Sequence, residues 1–115
     1  MHELPVTRGM LEIALDAARE AEADRVLAID VVIGELTSFV DDAVQFYFDV
    51  VAEDTPAEGA DLRFRREAAR VTCHECGSVR EVEPPLRPTC ADCGSMALRV
   101  DGGRDFYVES IEVDG

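Results

Sequence analysis

A chain of 115 residues with 47% hydrophobic side chains is long enough for one compact domain and a small appendage, and no apolar run in it approaches the roughly 20 residues that span a bilayer. Its formal charge is −14, from 25 acids against 11 bases that are all arginine. Nucleic-acid binding needs a clustered basic face to displace phosphate counterions, and the absence of one argues against that class of function.

Residues 6–22 place Met10, Ile13, Ala14, Ala17 and Ala21 at steps of three and four, with Leu11, Leu15 and Ala18 widening the stripe. This spacing predicts an amphipathic helix, with Pro5 in its first turn. Val26 to Ile33 is rich in β-branched residues and predicts a strand ending at Gly34, with Leu27, Ile29, Val31 and Ile33 on one face. A second helix is expected from Asp41, read as its N-cap, with Val44, Tyr47, Phe48 and Val51 along one side up to the breaker Glu53-Asp54-Thr55-Pro56. Asp61 to Glu67 reads as a second strand with Leu62 and Phe64 inward. Asp105 to Val113 reads as a third, with Phe106 and Val108 on one face. The fold class that follows is α+β: two helices packed on a three-stranded sheet, with a cysteine-bearing segment inserted before the last strand.

That segment holds two matched stretches, Cys73-His74-Glu75-Cys76-Gly77-Ser78 and Cys90-Ala91-Asp92-Cys93-Gly94-Ser95. In each Cys-x-x-Cys-Gly knuckle two thiolates from one tight turn point at the same ion, and glycine supplies the positive φ that lets backbone N–H groups face the sulfurs. Thirteen residues separate Cys76 from Cys90, close to the spacing of a tetrahedral zinc site, so Cys73, Cys76, Cys90 and Cys93 form a zinc-ribbon-like module. Two disulfides would require an oxidising compartment, whereas the chain opens without the features of a secretory signal, so a reducing cytoplasm is expected. A redox-active Cys-x-x-Cys would open a helix after a strand, and both motifs here sit in Gly- and Pro-bearing turns. Iron takes the same four ligands, but electron carriers of that kind pack aromatic rings around it, and no aromatic residue lies between Phe64 and Phe106. Zinc is the expected ion.

Within residues 70–104 five arginines balance five acids, so the whole negative surplus lies outside the knuckle segment. That surplus suits solubility, or the attraction of cations or of a basic protein partner. The segment also has too few apolar residues to fold alone, so metal binding is expected to supply most of its folding free energy. His74, inside a knuckle turn, is expected to face solvent rather than replace a cysteine. Glu75, Asp41 and Asp42 read as surface and helix-start charges.

The amino end offers a second chelator. The Met1 α-amine, the following amide nitrogen and the imidazole Nδ1 of His2 can close adjacent five- and six-membered rings around one ion. Square-planar nitrogen donors of this kind suit Ni(II) or Cu(II). Binding there is expected to weaken as pH falls through about 7.7–8.0 for the amine and about 6.5 for the imidazole. A histidine at position 2 is also commonplace in a terminus with no function.

Met1-His2-Glu3-Leu4, the strand end Ile33-Gly34-Glu35-Leu36, the stretch Phe46 to Phe48 with Thr55 and Glu58 beyond, and the paired knuckles together resemble the HypA/HybF family of hydrogenase nickel-incorporation proteins. The likeness runs through nearly the whole chain in order. It implies a cytoplasmic metallochaperone, monomeric or weakly dimeric, that holds transient Ni2+ at its N-terminus. It further implies a nickel-inserting GTPase partner, which helps deliver the ion to the large subunit of [NiFe] hydrogenase. By position it makes His2 the nickel ligand, with Met1 and Glu3 contributing, and the four cysteines the ligands of structural Zn2+. Residues 1–69 with 105–115 then form a discontinuous nickel-binding α/β domain, and residues 70–104 a zinc-binding domain. Two departures stand out: Pro5 where the family commonly has serine, and Asp105 near the start of a strand that usually bears glutamate there. An enzyme is not expected, since no nucleophile is paired by motif with a base and no phosphate-cradling glycine loop is present. The alternatives are a zinc-ribbon interaction module without metal transfer, and nickel delivery to urease.

Overall fold

The computed structural model describes residues 3–115, in the order α1 (Glu3–Glu20), β1 (Arg25–Gly34), α2 (Asp41–Val51), β2 (Asp61–Glu67), β3 (Ala69–Cys73), β4 (Val79–Val82), β5 (Leu98–Asp101) and β6 (Phe106–Asp114). Two three-stranded sheets result, one ordered β2-β1-β6 and the other β4-β3-β5. The expected α+β class, with two helices, a three-stranded sheet and an inserted four-cysteine module, is the observed one. The chain gathers into two compact units, residues 1–32, 39–65 and 107–115 in one and residues 33–38 and 66–106 in the other.

The first unit owes its stability to the apolar stripes read from the sequence. Met10, Ala14 and Ala18 of α1 are buried, as are Val44 and Phe48 of α2, and the two helices pack on each other. Thr7 joins the buried stripe because its hydroxyl is satisfied locally, donating to the Leu4 carbonyl at 2.8 Å. β1 departs from the expected one-sided pattern. As the central strand it buries Val26, Ala28 and Val32 as well as Ile29, Val31 and Ile33, while Leu27 is 39% exposed. Asp30 is tolerated half-buried in β1 because hydrogen-bond donors meet it from both neighbouring strands. Arg63 of β2 forks onto its carboxylate at 2.8 and 3.1 Å, and the Ser110 hydroxyl of β6 donates at 2.7 Å. These bonds, with Arg63 first and Ser110 second, hold the Asp30 carboxyl below its ordinary pKa. In β6, Phe106 and Val108 are half-buried as expected. The alternation then slips by one residue at Glu109-Ser110, as at a β-bulge, and resumes at Ile111 and Val113.

Helix ends are where the sequence misled. Asp41 is not the N-cap of α2: that position is the extended Val40, whose carbonyl accepts from Val44 N–H, and no side chain caps it. Asp41 and Asp42 instead occupy the first turn, where carboxylates complement the helix dipole. α1 starts at Glu3, earlier than the apolar periodicity, and stops at Glu20. Past its end, Glu22 N–H reaches the Arg19 carbonyl and Ala23 N–H the Ala18 carbonyl, the paired bonds of a Schellman cap. This closure needs a left-handed residue, and Glu22 supplies it at φ 54°. An L residue there is strained, and a carboxylate at a helix C-terminus opposes the dipole. Glu22→Gly is therefore expected to stabilise the protein by about 0.5–1 kcal/mol, net of the extra freedom glycine gives the unfolded chain, as read by chemical denaturation.

Candidate metal centre

The two knuckles are built alike. Cys73 N–H donates to the Ser78 carbonyl at 3.0 Å and Gly77 N–H to the Cys73 carbonyl at 2.9 Å. In the second knuckle Cys90 N–H donates to Ser95 at 2.8 Å and Gly94 N–H to Cys90 at 2.9 Å. Gly77 and Gly94 both sit at φ 75°, the left-handed turn for which glycine was read at these positions. β3 leads into the first knuckle and β4 leaves it, antiparallel, with Thr72 opposite Val79. β5, which follows the second knuckle, pairs with the other edge of β3, placing Leu98 opposite Cys73.

This topology brings all four cysteine sulfurs within 4.8 Å of one another. The closest pairs join different knuckles, Cys73 to Cys93 at 3.6 Å and Cys76 to Cys90 at 3.7 Å. A zinc–sulfur bond of about 2.3 Å implies a tetrahedron edge of about 3.8 Å, so the spacing fits one four-thiolate ion, while a disulfide would need about 2.05 Å. All four cysteines are free thiols. Cys73 and Cys90 are buried and Cys76 and Cys93 exposed, so each knuckle offers one inner and one outer ligand.

The surroundings supply donors to the sulfurs. The Ser78 hydroxyl lies 3.3 Å from Cys76 Sγ and 3.5 Å from Cys90 Sγ, and Asp92 N–H points at Cys90 Sγ at 3.4 Å. Led by Ser78 and followed by the Cys93 and Asp92 backbone donors, these hold the Cys90 thiol down to about 6. Cys76 is lowered in the same way, by the Ser78 hydroxyl and then its backbone N–H. At Cys93 the Ser95 backbone donor is the largest influence and also lowers, but the neighbouring Cys73 thiol, desolvation, Cys76 and Cys90 together outweigh it and push the group up to about 12. Four thiolates this close cannot all ionise against each other, and a cation at their centre resolves that repulsion. Arg80 of β4 donates to Asp92 at 2.6 Å, tying the second knuckle to the sheet, and its hydrogen bond is the main reason the Asp92 carboxyl is held below its usual range.

Ser78, Asp92 and Arg80 were not singled out in the sequence. Serine following glycine in both knuckles is the available signal, since a hydroxyl at that place can reach the sulfurs, as Ser78 does. His74 is exposed, as expected, and its backbone N–H donates to the Ala97 carbonyl at 2.9 Å. Glu75 is exposed. Glu3 opens α1, half-buried. Met1 and His2, the proposed nickel donors, lie outside the described residues. Among the described residues no helix is long and apolar enough to cross a membrane.

An α+β body carrying a ribbon-like module that gathers four thiolates defines a small metal-binding protein. The model of the family described as "Hydrogenase/urease nickel incorporation, metallochaperone, hypA" matches residues 1–113. Relatives agree: the hydrogenase maturation factor HypA of Caldanaerobacter subterraneus subsp. tengcongensis is 41% identical over 99% of this chain and 100% of its own. That of Dehalococcoides mccartyi is 38% identical over 99% and 95%. In fold, the solution structure of the Ni metallochaperone HypA from Helicobacter pylori superposes with a TM-score of 0.65, covering 97% of both chains at 18% identity. The chain belongs to the HypA family, whose metallochaperones serve nickel incorporation in hydrogenase maturation.

Proposed function

We propose that this protein carries Ni(II) at a site made by Met1 and His2, with Glu3 beside them, and hands it to the large subunit of [NiFe] hydrogenase with the help of a nickel-inserting GTPase. The observation that carries this reading is that the family match begins at residue 1 and so takes in Met1-His2-Glu3. The chemistry of those residues agrees, because an α-amine, an amide nitrogen and an imidazole in series favour a planar nickel complex. Residues 1–69 with 105–115 serve as the nickel-binding part and residues 70–104 as the zinc-binding part. The four cysteines hold zinc in a structural role: bound zinc neutralises the thiolates and joins the two knuckles. GTP hydrolysis belongs to the partner, and the chain works without catalysis of its own, in the cytoplasm where thiols stay reduced. The family description covers hydrogenase and urease, and the relatives above are hydrogenase maturation factors, which favours hydrogenase as the client.

Titration of zinc-loaded protein is expected to show one equivalent of Ni(II) bound with a diamagnetic, square-planar spectrum. Loss of a partner that merely orients a ligand costs about 10–100-fold in metal affinity, so His2→Ala, which removes a ligand, should weaken nickel by about 100-fold or more. A variant that binds as tightly as the parent places nickel elsewhere. Metal analysis of the purified chain should give one zinc per molecule and no visible colour.

A further inference from the structure

Helix α2 carries a face that the core does not use. Val44 and Phe48 are fully buried, whereas Phe46 and Val50 stand 62% and 50% exposed. At 100° per residue these two lie about 200° round the axis from the buried pair, and one turn apart they make a continuous apolar ridge. Tyr47 meets Phe46 edge to face, with centroids 5.3 Å apart. Gln45 fastens the same helix to the start of β2, accepting from Leu62 N–H at 3.0 Å and donating to the Ala60 carbonyl at 3.4 Å, so the ridge sits on an anchored element.

Charge indicates what covers the ridge. Asp42 and Asp49 line one side of it and Glu53 follows just past the helix end, all exposed, with Asp49 also accepting from Gln45 Nε2 at 2.8 Å. Between Arg25 and Arg63 the chain has nine acids and no base. The compact unit containing α2 carries 17 acids against five arginines, a net −12 of the total −14. A second copy would set −12 against −12, and an anionic lipid surface would be repelled in the same way.

We propose that the outer face of α2 is a docking surface for a helical segment of a protein partner whose apolar stripe is flanked by lysine or arginine. Phe46 and Val50 seat the stripe and set its register, while Asp42, Asp49 and Glu53 pair with the flanking cations and steer the encounter. With two large apolar anchors the contact is of the small, transient kind. The surface lies in residues 41–53 and does not depend on where nickel binds.

The test uses the full metal-loaded chain and three synthetic helical peptides of about 18 residues, five turns each. One has a leucine stripe flanked by lysines, one the same stripe flanked by glutamates, and one a serine stripe flanked by lysines. Only the first is expected to bind saturably, with amide NMR shifts concentrated in residues 41–53 and affinity falling as salt rises. The double variant Phe46→Ser/Val50→Ser should weaken it roughly tenfold or more, as for loss of an interface anchor. Ile13→Ser, which alters an equally exposed apolar residue on α1, should leave it unchanged. Asp42→Asn/Glu53→Gln should flatten the salt dependence. Equal binding of the serine-stripe peptide, unaltered binding by the Phe46→Ser/Val50→Ser variant, or shifts centred elsewhere would each overturn the proposal. So would self-association of the parent chain that this variant abolishes, since the ridge would then belong to a second copy.

Discussion

Removing the metal from the four cysteines, by chelation or by Cys90→Ser, is expected to unfold β3, β4 and β5. Within residues 70–104 the only buried hydrophobic side chains are Cys73 and Cys90 themselves. Val71, Val82, Leu98 and Val100 are half-buried, and Val79, Leu86 and Met96 are 60%, 40% and 79% exposed. Strands of four or five residues with so little apolar burial do not hold against the conformational entropy of ordering them, about 1–2 kcal/mol per residue for the backbone alone. A structural zinc ion in a comparable four-ligand site contributes apparent binding free energy of about 10–16 kcal/mol at pH 7, which is enough to decide whether the module is folded. Hydrogen exchange reads the result directly: amides of Val71, Arg80 and Arg99 should lose their protection in the metal-free protein. Amides of α1 and of Val44 to Phe48 in α2, whose unit has its own buried core, should keep it. Protection of β3–β5 that survives chelation would show that side-chain packing, and not the ion, holds the module.

Gly34→Ala is expected to be the most damaging single-methyl change in the chain. A Cβ at Gly34 would sit 2.2 Å from the carbonyl carbon and oxygen of Gly103 and 2.6 Å from Arg104 N, all backbone atoms. They cannot swing away as a side chain would, because the two segments are laced together. Gly34 N–H donates to the Asp105 carbonyl at 2.7 Å, Leu36 N–H to Gly103 at 2.7 Å, and Glu35 N–H to Glu67 at 2.9 Å. Relieving the clash means breaking part of this lacing as well as shifting a close-packed backbone, for an expected cost of about 3 kcal/mol or more. Gly9→Ala in α1 is the matched control. A Cβ there meets nothing within 4 Å, so alanine should stabilise the helix by about 0.5–1 kcal/mol. Denaturant unfolding of the two metal-loaded variants should therefore move in opposite directions, and a mild effect at Gly34 would mean that the Gly34–Gly103 approach is looser than it stands.

Much of the centre was legible because its logic is local. A Cys-x-x-Cys-Gly turn closes on itself through bonds between residues five apart, Cys73 with Ser78 and Cys90 with Ser95, so its shape needs no knowledge of the rest of the chain. The stripes of α1 and α2 and the β-branched run of β1 were readable for a similar reason, since periodicity reports which side of an element meets the core.

What escaped the sequence depends on contacts between distant residues. β3, β4 and β5 lack the alternation of ordinary strands because each is specified by its partners around a metal, with Val71 facing Arg80 on one side and Val100 on the other. Leu27 shares its predicted face with Ile29, Val31 and Ile33 yet is 39% exposed, because strand identity says which residues share a side but not how far along the strand the cover extends. Asp30 stands within the apolar run of β1, and only the fold brings Arg63 and Ser110, 33 and 80 residues away, to satisfy it. Gly34 ends β1 as its sequence predicts, but only the fold shows that its missing side chain is dictated by a close backbone approach at Gly103. Short-range bonding geometry thus wrote the thiolate knuckles and the helical stripes into the chain, whereas burial, charge pairing and close backbone approach arise from segments far apart in sequence and were decided by tertiary packing.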